Sequence, residues 1–376
     1  MYSHLLLNTN LLAATHISNV NINKVLNARN LMCIADIPQM EELKVVSLFS
    51  GCGGLDLGVQ GGFEVFNGEN KKHFAKNPFK VIWANDIYQE ATETYKKNIG
   101  KHIICKDVAD IDIADIPDCD IILGGFPCQD FSISGKQKGF DTERGNLYKQ
   151  MLRVILAKKP KAFIAENVKN ILNPNLIDSE RNQPVINTIC EDFSNAGYTI
   201  KATNLHAPDY GIPQRRDRVF IVGIRNDINS EFQYPKSLHS LMTSEQAIDD
   251  LWNRENDLTI PNHNQRSMAK FKPPQRMGNQ GNYKIPKNGP SQVMRAEHHM
   301  NIQAHYRSLK EDEPENRDFW RRLTVREAAR LQTFPDSFKF LGLKSHGYKQ
   351  LGNAVPPILG WYMGRALAKA LSASSK

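Results

Sequence analysis

The sequence predicts an α/β fold in which a mostly parallel sheet is flanked by crossover helices, with a smaller irregular domain added. The first observation is that short apolar runs alternate with helical or polar stretches. The second is that each run is followed by glycine or by a polar or reactive side chain. Because ligands of open α/β sheets bind beyond the carboxyl ends of the strands, these features should meet at one edge. The predicted strands are Val45–Phe49, Val81–Ala84, Ile103–Cys105, Ile121–Leu123 and Ala162–Ala165.

The third observation is a change of composition beyond residue 225. Residues 261–310 hold nine Lys or Arg and four His but a single acidic residue. A helical pattern resumes later, since Thr324 and Glu327 have capping-box spacing and Ile358–Leu371 has the apolar spacing of a helix. The chain therefore divides into an N-terminal extension without a readable motif (1–40), the main α/β domain (41–225), a second, irregular domain (226–318) and a C-terminal segment that returns to the main domain (319–376).

Charge and cysteine usage limit the classes of protein that fit. The formal net charge is +8, which favours an anionic partner such as nucleic acid, although many basic proteins bind none. The six cysteines are scattered without a C-x-x-C pair, so neither a disulfide framework nor a zinc site is indicated and a cytoplasmic location is expected. No run approaches the roughly 18 apolar residues of a membrane span. We therefore expect no membrane association.

A glycine-rich turn follows the first predicted strand. Residues 49–58 read Phe-Ser-Gly-Cys-Gly-Gly-Leu-Asp-Leu-Gly, a pattern that lets a backbone approach a ligand closely at the start of a helix. A nucleotide-like ligand is therefore one interpretation, and a tight connection without a ligand is the other. The dinucleotide fingerprint requires a third glycine where Asp56 stands, which disfavours a nicotinamide cofactor.

Two acidic residues follow the second and third predicted strands. Asp86 could accept hydrogen bonds from ribose hydroxyls, and Asp107 could accept one from an adenine amino group. Each could equally be a helix cap or a solvated loop acid.

Cys128 follows the fourth predicted strand, in the segment Gly-Gly-Phe-Pro-Cys-Gln-Asp-Phe-Ser that begins at Gly124. A thiol past a buried strand and near a helix start is a reasonable place for a lowered pKa and hence for a nucleophile, although most lone cysteines are small buried hydrophobes. The polar loop that follows, from Gln129 to Leu147, could close over a substrate and expel water.

Charged side chains of both signs follow. Glu166 comes after the fifth predicted strand and is either a helix cap or, beside a nucleophilic cysteine, a general acid. Arg216 and Arg218 precede the predicted strand Val219–Ile224 and share a face by alternation. They could hold a phosphate or a base carbonyl, or could protect a solvated edge strand from aggregation.

Taken together, these motifs resemble the C5-cytosine DNA methyltransferase family, in that family's order, over residues from about 44 to 372. The fold implied is the Rossmann-like sheet of S-adenosylmethionine-dependent methyltransferases with a smaller, irregular target-recognition domain, which would be residues 226–318. The segments that carry the resemblance are Phe49-Ser-Gly-Cys-Gly-Gly, Gly125-Phe-Pro-Cys-Gln-Asp-Phe-Ser, Arg144-Gly-Asn-Leu-Tyr, Glu166-Asn-Val, Gln214-Arg-Arg-Asp-Arg, Arg322-Leu-Thr-Val-Arg-Glu-Ala-Ala-Arg-Leu-Gln and Gly347-Tyr-Lys-Gln-Leu-Gly-Asn-Ala-Val-Pro.

The resemblance implies a role for each matching residue. Cys128 would add to carbon 6 of cytosine, Glu166 would hold or protonate nitrogen 3, and Arg216 and Arg218 would contact the flipped base and its phosphate. The family's ribose-binding acid is usually Glu, so Asp86 departs from the pattern. The S-adenosylmethionine pocket would comprise Phe49, Gly51, Gly53, Gly54, Leu55, Asp86, Ile87, Asp107, Val108, Pro127, Asn353 and Val355. DNA contacts would come from Gln129, Ser132, Ser134, Lys136, Arg144, Gln214, Arg276 and Arg295.

The implied function is methylation of carbon 5 of a flipped-out cytosine in a specific short sequence of double-stranded DNA. The chemistry is consistent, because carbon 5 is a poor nucleophile until a thiolate adds at carbon 6, and that requires the base to leave the stack. The basic second domain would read base edges and hold phosphates. We expect a monomeric modification enzyme of a restriction-modification system, associated with the nucleoid through DNA and with no stable complex to a cognate endonuclease.

Three alternatives remain. A related branch of the family methylates tRNA, although a separate basic segment favours the reading of DNA sites. A cytosine deaminase would need a zinc-binding cysteine where Phe131 stands. A DNA-binding homologue without catalysis is disfavoured because every candidate catalytic residue is present.

Overall fold

A computed structural model describes residues 40–127, 147–238, 240–268, 283–296, 305–308, 316 and 319–373. The strands in this part of the chain are β1 (Leu43–Leu48), β2 (Phe63–Val65), β3 (Lys72–Phe74), β4 (Phe79–Asp86), β5 (Ile103–Cys105), β6 (Ile121–Gly124), β7 (Ala162–Val168), β8 (Ile177–Asp178), β9 (Gln183–Pro184), β10 (Tyr198–His206), β11 (Asp217–Arg225), β12 (Tyr283–Lys284), β13 (His305–Ser308) and β14 (Trp320–Arg322). The α-helices there are α1 (Gly54–Gln60), α2 (Gln89–Asn98), α3 (Leu147–Lys158), α4 (Val185–Asn195), α5 (Ser244–Ile248), α6 (Val325–Leu331), α7 (Lys344–Asn353) and α8 (Pro357–Ala373).

The central sheet has seven strands in the order β10-β11-β7-β6-β1-β4-β5. Strands β7, β6, β1, β4 and β5 pair in parallel, while β11 pairs antiparallel with β7 and β10. Continuous apolar runs are typical of parallel strands with both faces covered, and Ile121, Ile122 and Leu123 are indeed fully buried. The predicted mostly parallel sheet is confirmed, and all five predicted strands belong to it.

The last helix of the chain packs on the first helix of the main α/β region. Helix α8 packs on α1, where Gly58 and Gly360 allow a close approach: a Cβ added to Gly58 would lie 2.7 Å from the Cα of Gly360. The capping box is confirmed at the start of α6, because the Thr324 hydroxyl accepts from the Glu327 amide and the Glu327 carboxylate accepts from the Thr324 amide.

A small sheet links the basic region to the C-terminal segment. Its order is β12-β13-β14, and β14 lies immediately before α6. No helix in the described ranges is long and apolar enough to cross a membrane. The domain boundaries themselves stay predictions.

Candidate active site at the carboxyl edge of the sheet

The glycine-rich turn joins β1 to α1 and adopts a left-handed backbone at Phe49, Gly51 and Gly53, with φ of 55°, 57° and 90°. Gly53 is packed tightly, since an added Cβ would overlap Ile99 and lie 2.9 Å from the Tyr95 ring. At Gly51, by contrast, an added Cβ would meet no atom within 4 Å. The turn therefore rests on α2 at one glycine and presents open backbone at the other.

Side chains at the end of β4 fix this turn. The Gly51 amide donates to Asp86 Oδ2 at 2.7 Å, and the Tyr88 amide donates to Asp86 Oδ1 at 2.8 Å. Burial raises the pKa of Asp86, while the hydrogen bonds from these amides oppose the rise. Asn85 supports the turn from the same strand end, because its side chain accepts from the Phe49 amide at 3.4 Å and donates to the carbonyl of Lys106 at 3.1 Å.

The residues predicted to lie beside the adenine differ in exposure. Ile87 is 68% exposed although it is a large aliphatic residue, and Val108 is buried. Asp107 accepts a hydrogen bond from the Ala109 amide at 2.9 Å, so the capping interpretation applies to one of its oxygens. Pro127 lies half-buried at the end of β6.

The C-terminal segment reaches the same turn. A Cβ added to Gly54 would overlap the carbonyl oxygen of Val355 and lie 3.1 Å from the Phe334 ring. Val355 and Leu55 are buried, whereas Asn353 is exposed. The structure thus brings together the predicted cofactor residues of four segments, namely the glycine turn, the ends of β4 and β6, and the end of α7.

Glu166 and Arg218 form a buried ion pair between adjacent strands, because Glu166 lies inside β7, not after it as predicted, and Arg218 lies inside β11. Arg218 Nε lies 2.6 Å from Glu166 Oε1, and both residues are less than a tenth exposed. The other carboxylate oxygen, Oε2, lies 3.3 Å from where a Cβ on Gly125 would stand. Burial raises the pKa of Glu166, and the charges of Arg218 and Arg216 only partly offset that rise. The carboxyl group can therefore hold a proton more readily than an ordinary Glu.

Arg216 lies differently from Arg218, although a joint role was predicted for the two residues. Its guanidinium is 1% exposed and donates to three backbone carbonyls, those of Met294 at 3.0 Å, Gly352 at 2.6 Å and Ala354 at 2.8 Å. Burial lowers its pKa well below the usual value. This geometry favours a role in joining β11 to the two later segments over a direct contact with the base.

Two of the predicted DNA contacts fall within the described residues. Gln214 is fully buried and its Oε1 accepts from the Met294 amide at 3.4 Å, an arrangement that does not favour a direct DNA contact. Arg295 is half-buried and its backbone lies against Gly352. The other predicted site residues lie outside the described ranges: Cys128, Gln129, Ser132, Ser134, Lys136, Arg144 and Arg276.

Asn167 is a candidate that the sequence analysis did not assign. It is 2% exposed, and its Nδ2 donates at 3.2 Å to the carbonyl of Phe126, two residues before Cys128. Strands β6 and β7 pair only as far as Gly124 and Ala165, so this side chain holds the chain just where the ladder ends. The sequence signal for it was its place in the segment Glu166-Asn-Val, which matches the family.

Comparisons with known proteins identify the family of the chain. The family model for C-5 cytosine-specific DNA methylase matches residues 43–369. The chain is 40% identical to type II methyltransferase M.NgoFVII of Neisseria gonorrhoeae, over 84% of this chain and 83% of that one. It is 33% identical to type II methyltransferase M.BsuRI of Bacillus subtilis, over 85% and 78% respectively.

A solved structure shares the fold. It is a DNA modification methyltransferase encoded within a prophage (E. coli), with a TM-score of 0.61 and 23% identity over 88% of this chain and 99% of that one. The family and fold imply S-adenosylmethionine as methyl donor and double-stranded DNA as substrate. The chain belongs to the C-5 cytosine-specific DNA methylase family and is a DNA cytosine-5 methyltransferase.

Proposed function

We propose that methyl transfer proceeds through a covalent bond between Cys128 and carbon 6 of a cytosine swung out of the duplex. The observation that carries this proposal is the Glu166–Arg218 pair, in which Glu166 Oε2 faces Gly125, three residues before the cysteine. A base stacked in the duplex could not reach such a recessed pair, and enzymes that act on bases extrude them.

The proposed reaction begins with attack of the cysteine on the ring. The Cys128 thiolate forms a bond to carbon 6 while Glu166 donates a proton or hydrogen bond at nitrogen 3, so that carbon 5 becomes nucleophilic. Bound S-adenosylmethionine would supply the methyl group to carbon 5 and would leave as S-adenosylhomocysteine. Loss of the carbon 5 proton to water then breaks the bond to sulfur, and nitrogen 3 returns any proton it took to Glu166, which restores the ring. The raised pKa of Glu166 suits the proton donor, and Arg218 fixes its orientation.

The residues at the glycine turn fit S-adenosylmethionine. Gly51 leaves open the space that a side chain would fill, Ile87 offers an exposed apolar surface for an adenine ring, and Asp86 has acceptor capacity beyond its two amide partners. In this proposal the turn and Asp86 hold the nucleoside, Asp107 and Ile87 face the adenine, and Asn353 and Val355 close the pocket from the C-terminal segment.

For its biological role, we propose a modification enzyme of a restriction-modification system. The names of the curated relatives, type II methyltransferases, support that role and favour DNA over the tRNA alternative. The basic region 226–318 would choose the DNA site, with Arg276 and Arg295 among its candidates. The enzyme would act as a cytoplasmic monomer, and its cognate nuclease would form no stable complex with it.

Mechanism-based trapping tests the covalent step. Duplex DNA with 5-fluorocytosine at the target cannot lose a proton from carbon 5, so it should stay attached to the wild-type chain in the presence of S-adenosylmethionine. Cys128→Ser should give no adduct while binding the same DNA. An adduct that survives Cys128→Ser would contradict the proposal, and labelled methyl groups appearing only in tRNA would contradict the substrate.

A further inference from the structure

A buried carboxylate lies beneath the glycine turn, outside the proposed chemistry. Asp56, in the first turn of α1, is 1% exposed. Its Oδ1 accepts from the Ser47 hydroxyl of β1 at 2.7 Å, and its Oδ2 accepts from the Tyr95 hydroxyl of α2 at 2.8 Å. One side chain thus joins three elements that each continue into, or begin at, the predicted cofactor pocket.

Both partners of Asp56 bear on the shape of the turn. The ring of Tyr95 is the surface on which Gly53 rests, since a Cβ at Gly53 would lie 2.9 Å from it. The hydroxyl of Ser47 in turn accepts from the Ser50 hydroxyl at 2.9 Å, one residue before the open Gly51. A shift of either partner would therefore move the backbone on one side of the turn.

We propose that Asp56 is a positioning residue for the cofactor pocket, whose ionised carboxylate holds Ser47 and Tyr95 and thereby fixes the glycine turn in the form that receives S-adenosylmethionine. The proposal rests on the cofactor site proposed above. An ionised carboxylate only accepts, so both hydroxyls must donate to it. The hydroxyl of Tyr95 then donates its single proton to Asp56. Its oxygen also lies 3.2 Å from His102 Nε2, so in this hydrogen bond the imidazole must be the donor. A protonated Asp56 would break this order, because one of its oxygens would carry a hydrogen.

The network should respond to mildly acidic pH. Burial raises the pKa of Asp56 to about 6, against the hydrogen bonds from Ser47 and Tyr95. The titratable groups that face it are Tyr95 from α2, His102 behind Tyr95, and Cys52 of the turn. Burial raises the pKa of Tyr95 and of Cys52 and lowers that of His102, so all three favour their neutral forms. Cofactor affinity should therefore be full above the pKa of Asp56 and fall as the pH drops through about 6.

Calorimetric titration of the full chain with S-adenosylhomocysteine, without DNA, tests the proposal at several pH values. Asp56→Asn should raise the Kd about tenfold at alkaline pH, since a hydrogen bond to a charged group is lost, and should flatten the pH response. Tyr95→Phe should act in the same direction. Asp178→Asn is the matched control, because Asp178 is likewise buried and accepts from a hydroxyl, that of Thr188 at 2.8 Å. This variant should leave the Kd unchanged.

Each outcome has a separate meaning. Asp56→Asn that binds as tightly as wild type, with the same pH response, would overturn the inference. A wild-type chain that binds no S-adenosylhomocysteine would instead overturn the proposed cofactor site. If Asp56→Asn fails to fold, the Kd of Tyr95→Phe and the pH dependence of the wild-type Kd test the inference instead. A wild-type Kd that does not change with pH would refute it. His102 lies near Tyr95 and could itself cause a pH response, so His102→Gln is a further control that keeps a hydrogen-bond donor. This variant should retain the pH dependence of the Kd. Loss of the pH dependence in His102→Gln would assign the effect to His102 and would also overturn the role of Asp56.

Discussion

Two buried glutamates, one at the carboxyl edge of the sheet and one in the C-terminal segment, each pair with an arginine but differ in what surrounds them. Glu166 has one arginine at 2.6 Å on one oxygen, while its other oxygen faces Gly125. Glu327 accepts from both terminal nitrogens of Arg321 at 2.8 Å and also from the Thr324 amide. The pKa of Glu166 is raised, because burial outweighs its partners, and the pKa of Glu327 is lowered, because its partners outweigh burial.

The difference separates a carboxyl group suited to chemistry from one suited to structure. An acid whose charge is only partly compensated can take and return a proton near neutral pH, which general acid catalysis requires. A fully compensated carboxylate stays ionised and ties its surroundings together. The residues around Glu327 include Glu255, which also pairs with Arg321 at 2.6 Å, and Arg307, whose guanidinium stacks on Trp252. The Glu166–Arg218 pair should therefore control the rate of methyl transfer, and the Glu327–Arg321 pair should control the free energy of unfolding.

The largest expected effect is on the rate after Glu166→Gln. The amide keeps the shape and can still accept from Arg218, but it cannot deliver a proton to nitrogen 3. The rate of methyl transfer should fall about a thousandfold, within the range for loss of a general acid. Single-turnover kinetics with enzyme in excess over DNA measures this step directly.

Binding measurements supply the control for that variant. The Kd values for DNA and for S-adenosylhomocysteine should change little, and so should the free energy of unfolding. Near wild-type turnover in Glu166→Gln would remove Glu166 from the mechanism. A large loss in the free energy of unfolding would show instead that Glu166 stabilises the fold, as Glu327 is expected to do.

The second effect is on stability after Glu327→Gln. This substitution leaves Arg321 buried with less compensation, and breaking a buried ion pair typically costs about 3 kcal/mol or more. Urea unfolding should show that loss in the free energy of unfolding. Activity per folded molecule should persist at low temperature; its disappearance in a fully folded variant would give Glu327 a part in the chemistry.

The loss of unfolding free energy in Glu327→Gln should depend on pH, which further separates Glu327 from Glu166. The pKa of Glu327 is lower in the folded chain than its ordinary value, so its contribution is present above that ordinary value and is lost as the pH falls through the lowered one. The stability difference between wild type and Glu327→Gln should therefore be constant at neutral pH and shrink in acid. A difference that grows in acid would contradict the direction of the shift.

The sheet could be predicted from the sequence better than the contacts that hold its carboxyl edge in place. Parallel strands such as Ile121–Gly124 bury both faces, so they appear as continuous apolar runs in one dimension. The polar features that follow these runs could be placed together because parallel strands end at one edge.

Long-range contacts leave no such local pattern. Arg216 bonds to Gly352, which lies 136 residues away, and alternation along β11 could indicate only the face it shares with Arg218. Asp56 was visible only as the residue that breaks a dinucleotide fingerprint, since its partner Tyr95 lies 39 residues away on another helix. Burial of a polar side chain is a tertiary property, so sequence could flag these residues without assigning their partners.

The smallest effect concerns Asn167, the neighbour of Glu166 on β7, which has no chemical role in the proposed scheme. Its amide holds the Phe126 carbonyl at the point where β6 leaves the sheet and the chain runs toward Cys128. Asn167→Ala should slow formation of the 5-fluorocytosine adduct about tenfold, because misplacement of a nucleophile costs rate, while the Kd for DNA stays near wild type. Asn77→Ala is the matched control, since Asn77 is also buried and donates to a carbonyl, that of Val59 at 2.9 Å. Equal losses of rate in the two variants would show that Asn167 contributes only to general stability. A loss of rate confined to Asn167→Ala would show that Asn167 positions Cys128 by holding the backbone at Phe126.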